Sequence, residues 1–528
     1  MRRLREADGE WVLESFETPP GVALYDHASA LLPENGRGPL PNEGNPLPDE
    51  PARQPGELRF GAGVADAIFG GESAGQKPVA AAAALLEFLR AEPNQQALGT
   101  VVDRLAEIGG AGDVDRLIAS VTAGHPPRDR LATVARWLCR HGTRRAVVKA
   151  GIGLLGVAGS EIDIPLIARL GLLEELTLYA LSALQNLFPN PEPAIFDLAQ
   201  QVRGWGRIQA VRRLSATDDE EIRRWLVYGG YRNSIMYEYT AFIAATTGEL
   251  RRRLEDAMDG AGELLDHAGA LLTALAIGGP AEDLSDYADT YPALAAYLNL
   301  MEQATPSLHR LHHLVDIEAY LSEGLDENPH LSEIARRELH GKVETILARS
   351  EWVPMVRAVL ESDDAHEVAG VVGVAERLGI ETRPVLWRWL SLEPLNGFFW
   401  YRLTVQASRE EIERLVEAAS ELLSLGELAT GPADHLGLGP DYEADKCLGY
   451  VLQSLREFPG EGWSVISVGL RNRVVRNRNQ ALLALSGWPR DKWPEDAEHV
   501  LQSAFWSEPR DDVRARIRAV IDGEPLPE

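Results

Sequence analysis

The run Ser307-Leu-His-Arg-Leu-His-His-Leu-Val-Asp316 sets His309, His312 and His313 at i, i+3 and i+4, with Asp316 a turn further on. On a helix this is one face, where two or three imidazoles can meet a divalent cation. Such a site also needs a defined further ligand and outer partners, and the same spacing is commoner as a surface or inter-helix histidine cluster. No metal or cofactor is therefore assigned. A second group lies at 204 to 239. Gly204-Trp-Gly-Arg207 and Tyr228-Gly-Gly-Tyr-Arg-Asn-Ser-Ile-Met-Tyr-Glu-Tyr239 place Trp205, Arg207, Tyr228, Tyr231, Arg232, Asn233, Tyr237, Glu238 and Tyr239 in two consecutive inter-helix turns. Rigid aromatics supply contact area at small entropic cost, and Arg and Asn supply directed donors. Trp205, Arg207, Arg232, Asn233 and Tyr237 are accordingly the expected binding residues, on a ridge one repeat wide. Against that stands the filling of the seam between repeats by the same aromatics. A third group, Arg471 to Asn479, carries four arginines in its first eight positions, with Asn472, Asn477 and Asn479 between and after them. It suits an anion, although ion pairs with surplus carboxylates are the commoner meaning.

The usual catalytic signatures are missing. There is no Gly-x-Ser-x-Gly elbow, no His-Glu-x-x-His, no phosphate-binding lysine loop, no haem-thiolate context around either cysteine and no Gly-rich dinucleotide turn. No catalytic residue is assigned. Asp218 to Glu221 and Glu361 to Asp364 fall where helices should begin and read as caps. Arg251-Arg-Arg253 before Glu255 and Asp256 reads as a helix compensated at i,i+3 and i,i+4.

The elements that must position these groups are helices. Over 528 residues, 45% are hydrophobic and 25% charged, a globular balance, and from about Pro78 amphipathic stretches of 10 to 16 residues alternate with Gly, Pro, Asn or Asp. A Leu or small residue that ends one apolar stretch recurs ahead of an acidic residue that opens the next. The pairs are Leu105 and Asp113, Leu154 and Asp163, Leu184 and Glu192, Leu214 and Asp219, Ala245 and Glu249, Leu275 and Asp283. From Leu154 the spacing is about 30 residues, two short helices plus two turns, and such a unit buries its apolar face only by stacking on its neighbours. Residues 19 to 55 hold nine of the 32 prolines and predict an extended arm along the surface. Glu10 to Phe16 alternates enough for one short strand.

Residues 144 to 185 resemble HEAT repeats, in particular the shorter bacterial kind related to phycobilisome-lyase-type repeats. The matching positions are Ala146, Gly156, Gly159, Asp163, Ile164, Pro165, Leu166 and Ile167. The resemblance holds over about 97 to 290, and 368 to 390 and 479 to 505 resemble degenerate units. It implies an all-α, right-handed α-solenoid of helical pairs and a noncatalytic scaffold or binding surface. The expected organisation is an N-terminal segment with its arm at 1–77, regular repeats at 78–290 and degenerate repeats at 291–528.

Lys plus Arg total 52 against 80 Asp plus Glu, a net charge of −28. That field repels phosphate backbones, so nucleic acid and a HEAT-like DNA glycosylase activity are disfavoured, and a basic protein or peptide partner is favoured. A small-molecule enzyme with its pocket in the solenoid curve is the alternative. Cys139 and Cys447 form no disulfide framework, and no apolar run has the length of a signal or membrane span. The expected setting is cytoplasmic, without a membrane.

Overall fold

The structure is a computed structural model that describes residues 13, 15–51, 60–69, 75–257, 262–323 and 328–526. The chain is all-helical, with 68% of it in helix, and strands are absent among the described residues. The strand expected at Glu10 to Phe16 lies largely outside the described residues. Two compact units meet in the sequence between Arg349 and Ser350.

In the first unit, α1 (Leu24–Ala30) and α2 (Val64–Phe69) precede a long series of packed helices. These are α3 (Lys77–Arg90), α4 (Gln95–Ala106), α5 (Ala111–Ala123), α6 (Arg128–His141), α7 (Arg145–Ala158), α8 (Ile164–Gly171), α9 (Glu174–Leu187), α10 (Glu192–Gln201) and α11 (Trp205–Arg213). There follow α12 (Glu220–Trp225), which runs into a π-helical turn at Leu226–Gly230, α13 (Glu238–Thr247), α14 (Leu250–Glu255), α15 (Gly262–Ile277), α16 (Thr290–Met301), α17 (Leu308–Glu323) and α18 (Glu333–Leu347). From α3 to α17 each odd-numbered helix packs on the next odd-numbered one, while α4, α6, α8, α10, α14 and α16 each pack on odd-numbered neighbours. This is the layering of an α-solenoid.

The 30-residue spacing has a direct structural counterpart. Leu154, Leu184, Ala245 and Leu275 lie within the last five residues of α7, α9, α13 and α15, and Leu214 just past α11, all five buried. Asp163, Glu192, Asp219 and Glu249 stand at the starts of α8, α10, α12 and α14, whereas Asp283 lies in the turns before α16, which begins at Thr290. Asp163 forms a capping box with Ser160, and the Asp219 carboxylate accepts the N–H groups of Glu221 and Ile222. Successive layers are also tied by backbone. The buried Glu174 carboxylate, at the start of α9, accepts N–H bonds from Arg203, Gly204 and Gly206 at the start of α11.

The Pro-rich arm does lie along the helices, but it is not extended throughout. Its Pro-free stretch from Gly21 to Leu32 forms α1, whose Leu24 and Ala28, one turn apart, are buried against α6 and α8. Proline density averaged over 19 to 55 conceals this helix. Asp49 accepts from the backbone N–H and guanidinium of Arg145, and Arg37 pairs with Asp197.

The second unit contains α19 (Trp352–Leu360), α20 (Ala365–Arg377), α21 (Arg383–Leu392), α22 (Gly397–Thr404), α23 (Arg409–Leu422), α24 (Leu425–Leu428), α25 (Glu443–Ser454), α26 (Trp463–Gly469), α27 (Val475–Gly487), α28 (Ala497–Ser507) and α29 (Asp511–Asp522). Here α22, α25, α27 and α29 pack in series. Asp364, Asn396 and Ser408 cap α20, α22 and α23 through their side chains. No described helix is long and apolar enough to cross a membrane.

Candidate functional site

The five residues expected on one ridge separate into an inner and an outer set. Trp205 is 6% exposed and packs on Tyr239 at 5.0 Å between ring centres. Arg207 is 9% exposed, and burial lowers its pKa to about 10. Its Nε donates to the Val202 carbonyl and its Nη1 to the carbonyls of Gly229 and Arg232, while the guanidinium lies 5.1 Å from the Trp225 ring centre. The turn that follows the π-helical stretch at 226–230 presents these two carbonyls to Arg207 of the preceding repeat, which adds a donor to each. Trp205 and Arg207 are thus committed to the seam and present nothing to a partner. Asn233 shapes its own turn. Its Oδ1 accepts from the N–H groups of Ile235 and Met236, and its Nδ2 donates to the carbonyls of Tyr231 and Met236. Arg232 and Tyr237 reach the surface, Tyr237 at 39% exposure beside Met236 at 39%.

The structure links this region to the histidines through α15, a connection that local sequence does not signal. The buried Tyr231 hydroxyl is 3.1 Å from His267 Nδ1 and accepts from Arg232 Nε. On α17, His313 Nε2 lies 3.2 Å from His309 Nε2, and His313 Nδ1 lies 3.0 Å from Thr273 Oγ1 of α15. Burial, reinforced by the neighbouring His309 and His312, depresses the His313 pKa to about 3. A neutral, hydroxyl-anchored imidazole in a helix seam holds packing together; it is poorly matched to acid–base work near neutrality.

The arginines at 471 to 478 are largely consumed internally. Arg478, 1% exposed, forms two parallel bonds to the equally buried Glu508, and Arg473 pairs with the buried Asp445. Asn472 and Asn477 donate to Asp445. The run is a buried polar joint between α25, α27 and the start of α29, with little left for an external anion. Arg251 pairs with Glu255 at i,i+4 as expected, and Arg252 lies 3.9 Å from Asp256 but closer to Glu249, while Arg253 pairs with Glu220 of α12 and not within its own helix.

One feature of the second unit lay outside every sequence expectation. A cleft of about 640 Å³ runs along the N-terminal half of α20 and the α21–α22 turn, lined by Asp363, Asp364, His366, Gly370, Glu393 and Phe398, among others. A side chain at Gly370 would meet open space, so α20 offers bare backbone to the cleft at that position. Leu392, Leu395, Tyr401 and Val405 are exposed by 63%, 51%, 46% and 37% within the neighbouring α21–α22 segment. The carboxylates at 363, 364 and 393 supply a negative rim. A weak sequence signal existed: two glycines three residues apart inside an apolar helical pattern.

Neither the known protein families nor the curated proteins contain a match to this chain. Among solved structures, an engineered protein from the Northeast Structural Genomics Consortium aligns at 15% identity, covering 85% of this chain and 98% of that one, with a TM-score of 0.24.

Proposed function

We propose that the protein is a noncatalytic, HEAT-like helical scaffold that binds a protein or peptide partner, with the α20–α22 cleft as its contact. The observation that carries this reading is a concave surface with an acidic rim and an open glycine position, in a stretch of chain that also leaves Leu392, Leu395, Tyr401 and Val405 exposed. Exposed apolar residues need no explanation singly, but four between 392 and 405 are the composition of an interface. The rim favours Lys or Arg flanking apolar anchors, as does the net charge of −28. The buried, unpaired thiols of Cys139 and Cys447 fit a reducing, cytoplasmic setting. Arg232 and Tyr237 remain the surface-exposed part of the first unit's ridge and a second place for contact.

The test is fluorescence polarisation with a labelled 12-residue peptide carrying Leu and Phe at i and i+4 between lysines, beside a version flanked by glutamates. The basic peptide should bind saturably, weaken with salt, and lose at least tenfold in affinity to Gly370→Trp, which fills the cleft, and to Asp363→Asn. Equal binding of both peptides, or an unchanged affinity in Gly370→Trp, would remove the cleft from consideration.

A further inference from the structure

Helices α17 and α18 run antiparallel, with Ile317 and Leu321 of one and Leu339 and Val343 of the other buried. One position beyond each of these stands a polar residue: Glu318 and Ser322 on α17, His340 and Glu344 on α18. The one-residue offset puts all four beside the apolar seam, and the i,i+4 spacing aligns each pair along its helix. His340 Nε2 lies 3.4 Å from Glu318 Oε1, and donor atoms of Glu318, His340 and Glu344 all fall within 4.8 Å of one another. Ser322 Oγ, 2.8 Å from Glu318 Oε1 and 3.0 Å from His340 Nε2, ties two of these donors together.

We propose that Glu318, His340 and Glu344 form a binding site for a divalent transition-metal ion of the Zn²⁺ class, which clasps α17 to α18. Zinc bonds of about 2.0 to 2.2 Å at a tetrahedral angle set neighbouring donors roughly 3.4 Å apart. The Glu318 to His340 separation already has that value, and Glu344 closes on the ion by side-chain rotation. An imidazole nitrogen among the donors selects Zn²⁺ or Co²⁺ over Ca²⁺ and Mg²⁺, which take oxygen ligands. Three protein ligands leave the remaining positions to water.

The competing donor pair, His309 and His313 on the same helix, supplies the control. The untagged full chain, freed of metal by chelator dialysis, is titrated with Zn²⁺ by calorimetry, with Co²⁺ absorbance as a second readout. One Zn²⁺ per chain is expected, with affinity reduced at least tenfold in both His340→Ala and Glu344→Gln and unchanged in His309→Ala. Zn²⁺ should also raise the melting temperature of the parent chain and leave that of His340→Ala unmoved. Glu344→Gln preserves size and shape while removing the charge, so the result stands even where the alanine variant folds poorly. Absence of saturable binding below millimolar Zn²⁺, unchanged affinity in Glu344→Gln, or loss of binding in His309→Ala instead would overturn the proposal.

Discussion

The Glu174 carboxylate accepts the backbone N–H of Gly206 at 2.6 Å, so the first turn of α9 is clipped to the first turn of α11, its neighbour in the stack. The same carboxylate takes the N–H groups of Arg203 and Gly204, and burial pushes its pKa up despite these three bonds. A Cβ on Gly206 would stand 2.6 Å from both the carboxylate and the Thr177 hydroxyl.

Gly206→Ala should therefore destabilise the first unit by about 2 to 4 kcal/mol, because a buried hydrogen-bonded junction must open. Gly229→Ala, where a Cβ meets nothing within 4 Å, should change stability by less than about 1 kcal/mol. Chemical denaturation of the two variants checks the pair, and equal losses would mean that the clip contributes little.

Arg207→Met keeps much of the side-chain volume and removes the donors to the Gly229 and Arg232 carbonyls. It also removes the Nε donor to the buried Val202 carbonyl, a loss that costs on the order of 1 to 3 kcal/mol. The expected result is a lower melting temperature, while Tyr237→Ala, at an exposed position, leaves it within a degree or two. A fall for Tyr237→Ala as large as that for Arg207→Met would contradict the division into inner and outer sets.

Arg478 and Glu508 are each 1% exposed and bonded through both guanidinium nitrogens that face the carboxylate. Removing one partner strands a buried charge, which costs about 3 to 5 kcal/mol, so Glu508→Gln should unfold the second unit at markedly lower urea. Arg478→Met with Glu508→Leu should recover most of that loss. A double variant no more stable than the single one would show that the carbonyls of Ala433 and Asn472, which Arg478 also serves, dominate.

Folded His313 takes a proton only near pH 3, whereas an unfolded histidine does so near pH 6.5. Between these values the unfolded chain binds the extra proton, so stability falls as pH falls through that window. His267 and His312 are depressed in the same direction, mainly by burial. His313→Gln should move the acid-unfolding midpoint, followed by circular dichroism, to lower pH. An unchanged midpoint would place the acid sensitivity elsewhere.

Much of the architecture was readable from the residues alone, since helix periodicity, caps and chain-stopping glycines act over a few positions. Leu154, Leu184, Leu214, Ala245 and Leu275 marked the repeat because every unit must bury the same local face, and Asp163 and Asp219 marked helix starts because capping is a short-range bond. Whether a polar or aromatic residue faces water depends on partners far away in the chain. Trp205 and Tyr237 are both aromatic residues at helix starts, yet one is sealed by Tyr239 while the other is exposed. Arg207 reads as a free donor until the π-helical turn of the next repeat turns its carbonyls toward it. The arginines at 471 to 478 read as a cationic patch until Asp445 and Glu508, about 30 residues away on either side, absorb two of them. Likewise the meeting of Glu318 with His340, and the cleft beside Gly370, exist only because helix packing sets a register and leaves a gap, and neither property resides in a local run of residues.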